Sequence, residues 1–227
     1  MSRLAILAEI GAPSSSNGRT WGLRRHDLEA LRGVRERLDG SRVVLVTGAE
    51  GAAPTAAVGL AGVAAAEGLA TVVVECDIER PRLAEDLGLA AEPGLHEYLR
   101  WEATPAAIVQ PLALAGSAAS TEAGTLACVV AGRPTAKAHT LLGLGSFRHM
   151  TAKLRNAYEL VILLGPPLEG AGGALDAAAA EADCSIAALA ERPARRAAKA
   201  GHQALAWLRT PPLGAIVVAP GAGDQRS

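Results

Sequence analysis

"VVLVTGAEGAAPTAAVGLA", residues 43–61, is the stretch whose reading decides the fold. Its first residues are apolar at successive positions, without in/out alternation, which suits a strand covered on both faces as in a parallel sheet. A turn of small residues and an alanine-rich helix follow, giving the outline of a phosphate-binding loop. Such a loop, GxxxxGK[ST], uses glycines so that backbone N–H groups face phosphates, a lysine to reach the β/γ oxygens and a hydroxyl to ligate Mg²⁺. "GAEGAAPT", residues 48–55, fits that frame with Gly48 first, Ala53 for the second glycine, Pro54 for the lysine and Thr55 for the hydroxyl. Proline supplies no cation and lacks a backbone N–H, no lysine precedes Lys137, and Glu50 adds negative charge where a phosphate would lie. A charged hydrogen bond is worth roughly 1.5–3 kcal/mol, so this loss weakens nucleotide binding by about 10- to 100-fold. Taken alone, the segment reads as a plain strand-to-helix turn as readily as a degraded loop.

Working outward, apolar runs recur at 70–75 ("ATVVVE"), 126–130, 160–164, 184–191 ("CSIAALAE") and 213–220 ("LGAIVVAP"). Helical stretches lie between several of them, including "SFRHMTAKLRNAY" before the run at 160–164 and a segment at about 194–209. This alternation predicts an α/β fold, a doubly wound, mostly parallel sheet with helices on both faces. Before the first strand, "HDLEALRGVRERLDGS" reads as a helix capped by Asp27, with Leu28, Leu31 and Leu38 along one side and Gly40 at its end. The stretch 92–112 reads as a helical excursion broken by prolines. Residues 1–22, whose "GAPSSSNGRTWG" has linker composition, are set apart as an N-terminal segment, 23–220 as a single domain and 221–227 as a short tail.

The 227 residues suit one such domain. Half are apolar but only 3% aromatic, so the core is built from Val, Leu and Ala. A net charge of −1 without long runs of one sign leaves neither a nucleic-acid footprint nor a polybasic membrane patch. Three dispersed cysteines form no CxxC, and the five histidines lack ligand spacing, so neither a disulfide framework nor a metal site is expected. The opening apolar run is too short for a span or signal peptide, and a reducing cytoplasm is the simplest setting.

"VVVECDIERPRLAEDLGL" (72–89) resembles the second aspartate motif, approximately "LLVDADLRRPxLHxxFGL", of the bacterial tyrosine kinases of capsule and exopolysaccharide systems, in the MinD/ParA branch of P-loop ATPases. "PGLHEYLRWEATPAAIVQP" (93–111) resembles that family's "xGLSDyLxG" segment, "VILLGPPL" (161–168) its "VIIDTPPV", and "LGAIVVAP" its "LGVVLN". Glu29, Arg32 and Arg35 match its ExxRxxR helix, which packs neighbouring subunits into rings. The likeness runs in order over about residues 27–219 and is more specific than any single motif.

Carried over by position, the resemblance implies a P-loop NTPase-like fold from which most nucleotide chemistry has gone. Asp77 is kept, but the first aspartate of its motif is Glu75. The carboxylate that would act on Mg²⁺ or its water is Leu164, and the adenine-reading asparagine has become Val218 or Ala219. The tail "GAGDQRS" carries no tyrosine. No cofactor is therefore expected. The implied function is that of a pseudo-ATPase scaffold or regulatory subunit in exopolysaccharide or capsule synthesis or export. It would self-associate or co-assemble with an intact homologue through Glu29, Arg32 and Arg35. A membrane adaptor protein would recruit it to the inner face of the membrane, with neither nucleic-acid binding nor membrane insertion. The alternative enzyme would be a slow ATPase or kinase holding Mg-ATP through Gly48, Gly51, Thr55 and Asp77, with a lysine from a neighbour or from Lys137. A MinD-like positioning protein is a further alternative, and a dinucleotide oxidoreductase is disfavoured because no GxGxxG follows the first strand. Asp77 and Glu75 also have a structural reading, as caps of the turn after a strand. Arg80 and Arg82 read as solvated loop charges. Trp21, Trp101 and Trp207 read either as partner anchors or as core.

Overall fold

The computed structural model describes residues 4–13, 23–49, 51–113, 125–168, 172–190, 205–206, 208 and 210–219. Eight strands form one sheet. They are β1 (Ile6–Gly11), β2 (Val43–Gly48), β3 (Thr71–Glu75), β4 (Val109–Ala113), β5 (Thr125–Val129), β6 (Leu160–Leu164), β7 (Cys184–Leu189) and β8 (Pro212–Ala219). Their order across the sheet is β1-β8-β7-β2-β6-β3-β5-β4, and every neighbouring pair is parallel except β4 with β5. The six apolar runs in the sequence coincide with β2, β3, β5, β6, β7 and β8, and the doubly wound α/β architecture is the one expected.

Successive side chains of the central strands enter different layers, which explains their unbroken apolar character. Val44, Val46, Ile162 and Ile186 pack with helices α1 (Arg25–Glu36) and α2 (Ala52–Ala66). Val43, Leu45, Val161 and Leu163 pack on the opposite face with Phe147 and Met150 of α7 (Gly145–Ala157) and Leu175 of α8 (Gly172–Ala179). Helix α2 packs on the central strands and beside α1, which itself rests on β1, and Ala56, Ala57, Leu60, Ala61 and Ala64 are fully buried along α2. Its alanines let the backbone approach the sheet closely while contributing little apolar area each.

Two strands lie where no strand was expected. Residues 6–11, assigned by sequence to a segment outside the domain, form edge strand β1 in parallel register with β8. They are apolar enough to cover Ile10 against the core, but the run is short and is followed by linker composition. The excursion at 92–112 resolves into α4 (Leu95–Leu99), α5 (Pro105–Ile108) and the opposite edge strand β4. Pro111 in β4 is compatible only with an edge, where a missing N–H breaks no ladder. Short helices α3 (Leu83–Leu87) and α6 (Ala138–Leu142), together with α8, are also additions to the sequence reading.

Asp27 does not cap α1. The N-cap is Arg24, with no side-chain cap bond, while the fully buried Asp27 carboxylate accepts the Gly11 N–H at 3.0 Å and pairs with Arg24 and with His26 Nε2 at 2.9 Å. The end of β1 supplies a donor that needs a buried acceptor, so this carboxylate ties the edge strand to the helix. The linker from 14 onward, Glu50, the tail and all of the 194–209 helix except 205–206 and 208 lie outside the described residues.

Candidate functional site

The carboxyl ends of β2, β3 and β6 meet at one cleft, the place where open parallel sheets bind ligands. Gly48, Gly51, Ala53, Pro54, Glu75, Asp77, Arg80, Arg82 and Leu164 line it, so the residues singled out in the three motifs do converge. Glu75 and Leu164 are direct neighbours in register across β3 and β6.

The described part of the turn after β2 is shaped by two glycines at positive φ. Gly48 has φ +154°, and a Cβ there would sit 1.9 Å from the Ala188 carbonyl oxygen, so only glycine lets β2 turn this close to β7. Gly51 then enters α2 at φ +76°, a region that costs glycine little. The donors that a phosphate needs are accounted for differently. Ala49 N–H binds Ala188 O at 2.9 Å, and the N–H groups of Ala52 and Ala53 both turn back to Ala49 O at 3.2 and 3.1 Å. Pro54, third residue of α2, has no N–H at all. The first turn of a helix normally offers its N–H groups to an anion; here those of Ala52 and Ala53 are bonded back to Ala49, and Pro54 has none. Thr55 is buried, and its hydroxyl donates back to Gly51 O at 3.0 Å.

Glu75 is almost wholly buried, 2% exposed. Its Oε1 accepts the N–H groups of Arg82 at 2.7 Å and Leu83 at 2.8 Å, and its Oε2 accepts Ala131 N–H at 2.9 Å. The carboxylate thus caps α3 and ties it to the segment after β5, a reach the longer glutamate arm permits. Burial pushes its pKa above the ordinary carboxylate value, even though those three hydrogen bonds pull it down. Asp77 is half-buried and accepts the Arg80 N–H at 3.2 Å. Burial raises it as well, against the opposing pull of Arg80. Both acids accept backbone N–H groups of the turn that follows β3. Between them Cys76 is buried, with its thiol pushed far up for the same reason.

Of the groups that would grip a magnesium triphosphate, the lysine site is a proline, the N–H groups of Ala49, Ala52 and Ala53 are bonded internally, Glu75 accepts three backbone N–H groups and Leu164 is a buried hydrocarbon. What the sequence reading missed is the placement of Arg80 and Arg82, which line the cleft as its cations. The spacing Asp77-x-x-Arg80 turning under an Asx bond was the available signal. Among the described residues no group of three or more His, Cys, Asp or Glu side chains could hold a metal ion.

Glu29, Arg32 and Arg35 lie on α1 and are not among the residues that line this cleft. Glu29 pairs with Arg25 at 3.4 Å. Arg32 and Arg35 both approach Glu67, at the carboxyl end of α2, at 3.5 and 2.8 Å. Trp101 is 78% exposed and has φ +65°, at a position where the matching family segment carries glycine, so it is not core. Trp21 and Trp207 lie outside the described residues. No described helix is long and apolar enough to cross a membrane.

No protein-family model matches the sequence, and no curated protein matches it significantly. Solved structures do. The chimerical protein CapA2B2 superposes with a TM-score of 0.78 at 21% identity, over 95% of this chain and 94% of that one. The kinase domain of the Escherichia coli tyrosine kinase ETK gives 0.78 at 17% identity, over 99% and 92%. MinD of Pyrococcus horikoshii, complexed with Mg-ADP, gives 0.54 at 16% identity, over 78% and 69%. The chain therefore has the P-loop NTPase-like fold shared by bacterial tyrosine kinase domains and MinD-type ATPases, the fold that its motifs resemble.

Proposed function

We propose that this chain is a catalytically degenerate relative of the bacterial tyrosine kinases, a pseudo-ATPase that serves as a scaffold or regulatory subunit in exopolysaccharide or capsule synthesis or export. The observation that carries this reading is the first turn of α2, where the N–H groups of Ala52 and Ala53 are bonded back to Ala49 and Pro54 stands third. A loop so arranged offers a triphosphate no lysine, and the N–H groups of Ala49, Ala52 and Ala53 are already bonded, while the surrounding fold is kept over nearly the whole length of a tyrosine kinase domain. Assembly then carries the function: self-association or co-assembly with an intact homologue through Glu29, Arg32 and Arg35, on the inner face of the cell membrane beside a membrane adaptor protein.

Arg80 and Arg82 in the cleft favour a second reading, a weak nucleotide binder in which an arginine replaces the lysine and Asp77 and Thr55 assist. Calorimetry with Mg-ATP separates the two. The scaffold reading expects no heat at 100 μM nucleotide. A dissociation constant below about 10 μM (near −7 kcal/mol) that Arg80→Ala and Asp77→Ala each abolish would replace it with the second.

A further inference from the structure

Of the three arginines of helix α1, two, Arg32 and Arg35, turn toward the same carboxylate. Each carries five N–H donors in a planar fork suited to a carboxylate of its own. Arg32 and Arg35 instead share one carboxylate, reaching Glu67 Oε1 and Oε2 through Nε alone. The Arg35 contact is close but not aligned along its N–H, and Arg35 Nε is the one buried side-chain polar atom among the described residues without a hydrogen-bond partner. It is an ion pair rather than a hydrogen bond.

Glu67 is held in an awkward place. It is the C-cap residue of α2, whose last turn contains no basic residue, so its charge adds to the negative end of the helix dipole. That field and the carboxylate draw both guanidiniums inward across the α1–α2 seam. Glu29, one turn before Arg32, is 58% exposed and, among the described residues, pairs with Arg25 four residues earlier, an exposed pair that solvent screens. One helix face thus carries the half-exposed Arg32, and Arg35 with its Nε buried and unbonded, beside one loosely held anion, a set of charges that a second copy of the same face can complement.

We infer that Glu67 is an intrachain latch: it occupies Arg32 and Arg35 in the isolated chain and must release them before α1 can pair with a second copy of this chain. The inference rests on the assembly reading given above and adds its regulation. Release exchanges one shared carboxylate for the Glu29 carboxylate of the second copy, which each fork can meet more fully.

Sedimentation velocity on the full chain at 20 and 300 mM salt tests it with four proteins: wild type, Glu67→Gln, Arg32→Ala/Arg35→Ala, and the triple variant. Glutamine keeps the length of Glu67 while removing its charge, and Glu67→Ala, with urea unfolding of each, guards against a folding defect. The latch predicts that Glu67→Gln self-associates about 3- to 10-fold more tightly than wild type at low salt, the gap narrowing at high salt as screening weakens the pair. The triple variant should be monomeric. If Glu67→Gln and Glu67→Ala associate no better than wild type while the arginine pair is still required, the latch is overturned and the assembly reading stands. If the arginine variant associates as well as wild type, or no protein associates, the assembly reading fails and the latch with it.

Discussion

The two ends of the parallel sheet each depend on one carboxylate, and the pair shows how differently the same group can be used. At the carboxyl ends, Glu75 is buried, meets only backbone N–H groups and has a raised pKa. At the amino ends, Asp183 is nearly a third exposed and gathers the N–H groups of Arg42 and Val43 at 2.8 and 2.9 Å. Both arms of Arg155 close on it at 2.8–2.9 Å. Burial pushes Asp183 up too, but the Arg155 hydrogen bonds and the two backbone donors outweigh it, so its pKa lies below the ordinary range. The carboxyl end is where the fold would place catalysis, and its acid is spent on holding backbone. The amino end carries the only guanidinium fork of the two, for purely mechanical closure of β2 against β7.

The contrast breaks most visibly at Gly48. Gly48→Ala puts a Cβ against the Ala188 carbonyl in a backbone region closed to other residues, and the expected loss is about 3–5 kcal/mol, read as a fall in the urea midpoint. An unchanged midpoint would mean that the turn tolerates a side chain against Ala188.

Glu75→Gln should cost about 1–3 kcal/mol, because an amide NH₂ must face a backbone donor at one of its present partners. Its pH signature sharpens the argument. With a folded pKa raised above the ordinary 4.5, wild-type Glu75 keeps a proton in the folded state that the unfolded chain has released. Its term therefore weakens the fold as pH rises from about 4.5 to the raised value, then levels. The glutamine variant should lose that slope in denaturant titrations.

Asp183→Asn should cost roughly 1–2 kcal/mol, with the opposite signature. A depressed folded pKa supplies stability above the ordinary 3.8 that disappears as pH falls through the folded value, so the gap between wild type and variant should close below about pH 4. A gap constant down to pH 2 would contradict the fork's role. Smallest of all, Glu29→Ala should leave stability within about 0.5 kcal/mol, since its partner Arg25 is 85% exposed, and should change only self-association.

Much of this architecture was legible without coordinates. Six apolar runs became the six inner strands because residues buried on both faces cannot alternate, and the eight-residue frame at Gly48 located the cleft. Edge strands β1 and β4 were hidden, because an edge needs neither continuous apolarity nor a complete set of donors. The role of Glu75 was only half visible. A carboxylate after a strand reads as catalytic or as a cap, and the choice lay with Ala131, which is 56 residues away in sequence.

By itself, then, the sequence determined the α/β class, the succession of the six inner strands and the absence of a lysine at Pro54 and of a carboxylate at Leu164, since these follow from local composition and residue identity. Only the tertiary structure decided that the loop's N–H groups are bonded inward, that Arg80 and Arg82 enter the cleft and that Arg32 and Arg35 share Glu67. Those are matters of which distant backbone or side chain arrives within 3 Å, and a hydrogen bond's partner is set by packing rather than by neighbours in the chain.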